Sequence, residues 1–451
     1  MALPASQQPF PASQQFDPQQ FHAAQHAPYQ NLASDWNRRQ FLRVAGIGAG
    51  GWLTMLAHQL ARADEAQKVS RHQPATAIIL LWMQGGPSQL ETFDPHPGTE
   101  IGGPTKSIPT ATKGVKIAQG LEQTAEILDR MSLIRTVTSK EGDHERGTYT
   151  VKTGYRPLPA VVHPSLGAIV CHELPAPQTE IPRHISILPG QWPGRGGFLG
   201  DEYDAFKTFD PINPVPDVQS AVDENRQKQR LSDLEMLEKS FARGRERQAA
   251  ETRNRDTMLA AKKMMGSKQL AAFDISKEPR ELLAAYGNTE FGRSCLVARK
   301  LVQTGVRAVE VTLDGWDTHA NNFEGVSNQL KILDPALATL IRDLEQHNLL
   351  DTTLVVWAGE FGRTPNINPF KGRDHWPHAF TVVTAGGGLK RGLVLGETDP
   401  GGGRKVPKSY SIADLHATFL STLGINPKKE LYSPFGQPVK LAEGTPLPEL
   451  L

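Results

Sequence analysis

Apolar residues gather in short runs set off by polar or Gly- and Pro-containing stretches. The runs are Ala77–Met83, Ser132–Val137, His184–Leu188, Val306–Leu313, Leu354–Ala358 and Phe380–Ala385. Each has the length of a strand. The purest of them, Ala77–Met83 and Leu354–Ala358, do not alternate apolar with polar, which predicts strands covered on both faces. Helical segments lie between them: Leu121–Asp129, a short one after Pro164, Arg293–Gln303, Leu330–Leu344 and Ser411–Leu423. The last carries Ser411 as its N-cap and Gly424 as its stop signal. Strands alternating with helices predict an α/β fold, with a doubly wound, mainly parallel sheet and helices on both faces. One segment breaks the alternation. Residues 219–265 are densely charged, yet Leu231, Leu234, Leu237 and Phe241 recur at three- and four-residue spacing. This predicts a long amphipathic helix inserted across the α/β core.

In parallel sheets, ligands and reactive groups collect just past the carboxyl ends of strands. Here those places are rich in ionisable side chains. Asp317 and His319 follow one predicted strand, and Glu360 follows another. Arg363, His375 and His378 lie in the loop leading to Phe380. Carboxylates and imidazoles together suit a divalent ion such as zinc or manganese. Asp317, His319, Glu360, His375 and His378 are therefore the expected metal ligands. A solvated charged loop is the plainer alternative. Earlier in the chain, Gln84-Gly85-Gly86 follows the first strand, where glycines allow close backbone approach to a ligand. A charged loop, Gly142-Asp143-His144-Glu145-Arg146-Gly147, follows the second.

The N-terminus reads differently. Residues 1–34 are rich in Gln, Pro, Ala and Ser without periodic apolar positions, a composition that predicts disorder. Residues 35–63 contain Arg38-Arg39, then Phe41-Leu42 and a weakly hydrophobic Gly/Ala-rich stretch, the pattern of a twin-arginine export signal. Ala61-Arg62-Ala63 fits a cleavage site, so the mature chain is expected to begin near Asp64 and to act in the periplasm or cell envelope. No other segment reaches the ~18 apolar residues of a membrane span. A formal net charge of +1 gives no reason to expect nucleic acid. The 2 cysteines, Cys171 and Cys295, are too few for a disulfide framework.

The segments MQGGPSQLETFDP, DGWDTH, GEFGRTP and GRDHWPHAF, together with the twin-arginine start, resemble the uncharacterised family called domain of unknown function 1501. That family is similar to the alkaline phosphatase and sulfatase superfamily, and the resemblance implies a single such domain over 70–451, with metal at the strand ends. It also implies an anionic ester, free or on a glycan, as partner, a divalent metal (zinc, calcium or manganese), and His144 and Arg363 facing the substrate. Two departures stand out. Gln84 holds the place of the superfamily's first aspartate, and His144 stands where a sulfatase carries the cysteine that becomes formylglycine. The expectation is therefore an exported sulfatase-like hydrolase of sulfate or phosphate esters, in which the metal, as a Lewis acid, activates water without a protein nucleophile. The alternative is a non-catalytic member binding sulfated or phosphorylated glycans.

Overall fold

In a computed structural model of the protein, the first long apolar run becomes the central strand. The structure describes residues 73–176, 178–245, 254–399, 401 and 408–451. The expected N-terminal tail, export signal and cleavage site lie outside the described residues. Residues 72–451 form one compact unit.

The main sheet has 9 strands. In chain order they are β1 (Ala77–Met83), β2 (Met131–Thr138), β3 (His184–Ile187), β4 (Phe206–Thr208), β5 (Ala308–Leu313), β6 (Thr353–Ala358), β7 (Phe380–Gly386), β8 (Val394–Leu395) and β9 (Tyr410–Ser411). Across the sheet they run β8–β2–β7–β6–β1–β5–β3–β4, and β9 also pairs with β2. β1 lies between two parallel neighbours, with Ile79 opposite both Val309 and Val355. Its alternate side chains build opposite cores. Ile79, Leu81 and Met83 join one apolar cluster, while Ile78 and Trp82 join the other. That is the two-residue period of a strand covered on both faces.

The helices of eight residues or more are α1 (His144–Thr153), α2 (Leu166–Glu173), α3 (Glu224–Ala242), α4 (Asn254–Met265), α5 (Glu290–Gln303), α6 (Asn322–Gln346) and α7 (Ile412–Thr422). α5 and α6 cover the first face through Leu296, Leu301, Leu337 and Ile341. α2 and α7 cover the second through Ile169, Leu415 and Phe419. The doubly wound α/β architecture is therefore the observed one. Among the described helices, none is long and apolar enough to cross a membrane. Cys171 and Cys295 are free and buried, and burial pushes the Cys171 thiol up to about 12.

Three details depart from the sequence pattern. β7 runs antiparallel to both β6 and β2. α6 begins eight residues before the expected Leu330, because Val326 already packs into the core. The charged insertion is not one helix lying on the core: α3 has no buried residue, and Met236, Leu237 and Phe241 stay exposed.

α7 also sets an acid limit on the fold. His416 is buried, its Nε2–H donates to the Val151 carbonyl at 2.8 Å, and burial lowers its pKa to about 4. A folded-state value below the unfolded ~6.5 means stability is complete above about pH 6.5 and is lost as pH falls toward 4. The loss amounts to on the order of 3 kcal/mol for such a shift. His416→Gln, which keeps a donor for Val151, should lose about 2 kcal/mol less than wild type between pH 7 and 4.5 in denaturant titrations. Equal losses in the two proteins would contradict this.

Candidate metal centre

The carboxyl ends of β1, β2, β5 and β6 all open onto one edge of the sheet. A residue preceding a parallel strand would lie at the opposite edge. Because β7 is antiparallel, the residues before Phe380 arrive at the same edge as those that follow the other strands. His375 is thereby brought beside Asp317, His319, Glu360 and His144, the first residue of α1. Asp143 caps α1, its Oδ1 accepting from the Arg146 N–H at 3.1 Å.

Gly85 and Gly86 make the convergence sterically feasible. Gly85 has φ +110°, and a Cβ there would stand 2.4 Å from the Asp317 nitrogen. Gly86 has φ +77°, and a Cβ would meet the Phe361 ring at 2.7 Å. The glycines thus admit two neighbouring loops rather than a ligand, the use first expected of them.

Each of three imidazoles is oriented through its Nδ1. His144 Nδ1 donates to Glu360 Oε1 at 2.7 Å, His319 Nδ1 to Asp374 Oδ1 at 2.9 Å, and His375 Nδ1 to the Gly142 carbonyl at 2.7 Å. These partners accept hydrogen bonds, so in the neutral rings each Nε2 carries a lone pair. The Nε2 atoms face Asp317. His144 Nε2 is 3.4 Å from Asp317 Oδ2, while His319 and His375 Nε2 lie 3.2 and 3.4 Å from Oδ1. His319 and His375 bring these nitrogens to 3.0 Å from each other. Two lone pairs cannot share such a distance without a proton or a cation between them. One ligand atom each from His144, Asp317 and His375 lies within 4.8 Å of the other two. Atoms sharing a zinc ion with bonds of ~2.0–2.2 Å stand a little over 3 Å apart, so the donor set and its spacing fit a cation.

Electrostatics agree with that assignment. The hydrogen bond to Glu360 raises His144 above the ordinary imidazole value against the opposing effect of burial, and Asp317 adds to the rise. A carboxylate behind a ligating imidazole increases its basicity in this way. Burial lowers His375 below the ordinary imidazole value. Burial would raise Asp317, but the hydrogen bond and charge of Arg363, with help from His144 and His319, bring it below the ordinary carboxylate value.

The side chains behind the centre are locked. Arg363 is fully buried, and its Nε and Nη1 donate to the carbonyls of Gly86 and Arg373 at 2.9 and 3.1 Å. Its Nη2 donates to the Gly85 carbonyl and, at 2.5 Å, to Asp317 Oδ1. Arg373 is also fully buried and grips Glu91 through two hydrogen bonds of 2.8 and 3.1 Å.

The structure redistributes the roles read from sequence. Asp317, His319 and His375 do come together. His144, expected to face a substrate, lies with Asp317 and His375 in the cluster whose spacing fits a cation. Glu360, expected as a ligand, stands one step behind: its Oε1 holds His144 and, at 2.9 Å, the Gly85 N–H. Arg363 does not reach out to an anion, because its donors are taken by carbonyls and by Asp317. His378 is exposed and turned away, its ring edge-on to Trp376 at 4.8 Å. It is separated from His375 because a two-residue strand pairs His375 with Arg363 and the chain then turns at 377–378. Asp374 and the Gly142 carbonyl were missed as orienting groups. Asp374 had a signal, its place immediately before His375, whereas a backbone carbonyl has none.

Fold and centre together define an α/β protein with a histidine-rich cluster at the carboxyl edge of its sheet, whose donors are spaced as a cation would need. The chain belongs to the family described as "Protein of unknown function (DUF1501)", whose model matches residues 75–451. No curated protein matches it. Among solved structures it is similar to Ps i-CgsB at 10% identity, covering 78% of this chain and 73% of that one, with TM-score 0.39. It is similar to the PsFucS1 sulfatase from Pseudoalteromonas sp. at 13% identity, covering 81% and 70%, with TM-score 0.38. It is also similar to the alkaline phosphatase from the Antarctic bacterium TAB5 at 14% identity, covering 79% and 100%, with TM-score 0.34. At such low scores and identities, only the centre's own residues say what it does.

If Glu360 orients His144 rather than binding metal, Glu360→Gln should weaken zinc affinity about 10- to 100-fold without abolishing it. His378→Ala should leave affinity unchanged. Competition with a chromophoric chelator measures both, and a reversed order would refute the assignment.

Proposed function

We propose that the protein is a metal-dependent hydrolase of sulfate or phosphate esters, acting in the periplasm or cell envelope after export on its Arg38-Arg39 signal. The observation that carries this reading is the meeting of oriented Nε2 lone pairs around Asp317. His144, His375 and Asp317 would hold the ion. Two nitrogens and one carboxylate, with room for further ligands, suit zinc, and manganese is the nearest alternative. Calcium, also expected from the resemblance, takes six to eight oxygens and suits this donor set poorly. When bound, the ion supplies Lewis acidity toward the sulfuryl or phosphoryl oxygens.

The protein's residues do the rest. Glu360 and the Gly142 carbonyl hold the two ligating rings in the tautomer that presents Nε2. Arg363 keeps Asp317 ionised and in place. His319 is the acid–base group. Its side chain is 47% exposed, its Nδ1–H is held by Asp374, and a proton taken from an attacking water onto its Nε2 would be shared with His375 Nε2, 3.0 Å away. A carboxylate-oriented imidazole of this kind typically contributes 10²–10⁴-fold in rate.

The test uses protein recovered from the periplasm of cells expressing the full chain. It should contain about one zinc per chain and hydrolyse an aryl sulfate or aryl phosphate, and Asp317→Asn should lose the metal. His319→Gln should keep the metal while losing about 10²-fold or more in turnover. Metal without turnover of either ester would favour the non-catalytic binding role. Absence from the periplasm would reject the export signal, and absence of metal would reject the centre.

A further inference from the structure

Residues 364–372 fold back onto the segment that carries His319. The N–H groups of Asn321 and Asn322 donate to the Phe370 and Lys371 carbonyls at 3.1 and 2.9 Å, and the Arg373 N–H donates to the Thr318 carbonyl at 3.0 Å. The approach is closest at Gly372, where a Cβ would stand 1.9 Å from the His319 carbonyl oxygen. The loop and the His319 backbone are therefore held as one body.

Asn368 is the hub of this loop. Its side-chain amide fills all four of the hydrogen-bonding places an amide has. Oδ1 accepts from the Phe370 and Gly372 N–H groups at 3.0 and 2.9 Å. Nδ2 donates to the His319 carbonyl at 3.0 Å and to Asp374 Oδ1 at 3.2 Å. The first pair closes a turn on its own chain, the ordinary use of Asn, Asp or Ser in loops, and a carboxylate or hydroxyl would close it too. The second pair reaches outside the turn. It needs two N–H donors beside the acceptor, which only an amide of this size has.

That second pair spans His319 from root to tip. Its carbonyl belongs to the backbone from which the ring hangs, and Asp374 Oδ1 accepts the ring's Nδ1–H at 2.9 Å. A single NH2 group thus fixes the ring's acceptor relative to the ring's own backbone. Burial does not hold the pair, because the His319 and Asp374 side chains are 47% and 57% exposed. Exposed pairs of this kind are weakly held by themselves. The Asp374 N–H is anchored on Thr364 Oγ1 at 3.0 Å. Among the described residues, its carboxylate takes hydrogen bonds from His319 and Asn368.

We propose that Asn368 is a positioning residue of the centre: through Asp374 it keeps the His319 ring protonated on Nδ1, with Nε2 turned toward Asp317 and His375. Its effect on catalysis rests on the reading of His319 as the acid–base group, whereas the placement of the ring does not. The test uses the full zinc-loaded protein with two variants. Asn368→Asp keeps the size and the turn's acceptor, and Asn368→Ser keeps an acceptor without adding charge. With an aryl sulfate or aryl phosphate, kcat should fall about ten-fold or more in each, the effect of one lost hydrogen bond to a charged group. KM, zinc content and melting temperature should stay at wild-type values. In an Asp374→Ala background neither substitution should lower kcat further, because Asn368 acts through Asp374. Long-range proton–nitrogen correlation spectra at about pH 8, above the ordinary imidazole value of ~6.5, should show His319 protonated on Nδ1 in the wild type and a mixture of tautomers in both variants. Wild-type kcat in both variants, additive losses in the Asp374→Ala background, or an unchanged His319 spectrum would overturn the proposal. If the wild-type protein hydrolyses neither ester, the hydrolase reading fails and the spectra alone decide: a changed His319 tautomer upholds the role of Asn368, and an unchanged one overturns it.

Discussion

The buried guanidinium of Arg363 is the constraint on which the centre depends. It reaches the carbonyls of Gly85, Gly86 and Arg373 and the carboxylate of Asp317. Three loops that follow or precede different strands are thereby tied to one group. A charge so deeply buried persists only when its donors are satisfied. That requirement forces the loops into a single arrangement and aims Asp317 at the three imidazoles. The same interaction explains why Arg363 cannot serve a substrate anion. It is a scaffold for the centre, and Arg373 on Glu91 is a second scaffold behind it.

The sheet supplies the other half of the geometry. A uniformly parallel sheet would send His375 to the wrong edge, so the antiparallel direction of β7 is a condition of the site. It brings the Nε2 atoms of His319 and His375 to 3.0 Å, a separation that a shared proton or a neighbouring cation must compensate. Glu360 and Asp374 complete it by setting the ring tautomers. These outer carboxylates give the centre its chemical character as much as the inner ligands do.

Much of this was legible in the sequence. Unbroken apolar runs such as Ala77–Met83 mark strands covered on both faces, and the edge rule for parallel sheets pointed to Asp317, His319 and Glu360. Other parts were not. Nothing in Phe380–Ala385 states the strand's direction, because period and composition are the same both ways. Glu360 and Asp317 look alike as acids after strands, and only the buried surroundings of Glu360 put it behind His144. His144 was visible as a charged-loop residue, but its role depends on α1 starting at that residue and on Glu360 arriving from a strand 216 positions away in the chain. His378 looked equivalent to His375, but the strand ends at Trp376 and the turn at 377–378 leaves His378 exposed.

The central claim is that His144, His375 and Asp317 hold one ion. Anomalous diffraction at the zinc edge, from crystals of the full mature protein grown with zinc, tests it most directly. A single peak should lie about 2.0–2.2 Å from Nε2 of His144, Nε2 of His375 and a carboxylate oxygen of Asp317. A zinc-saturated crystal with no peak there, or with its ion held by other side chains, would contradict it.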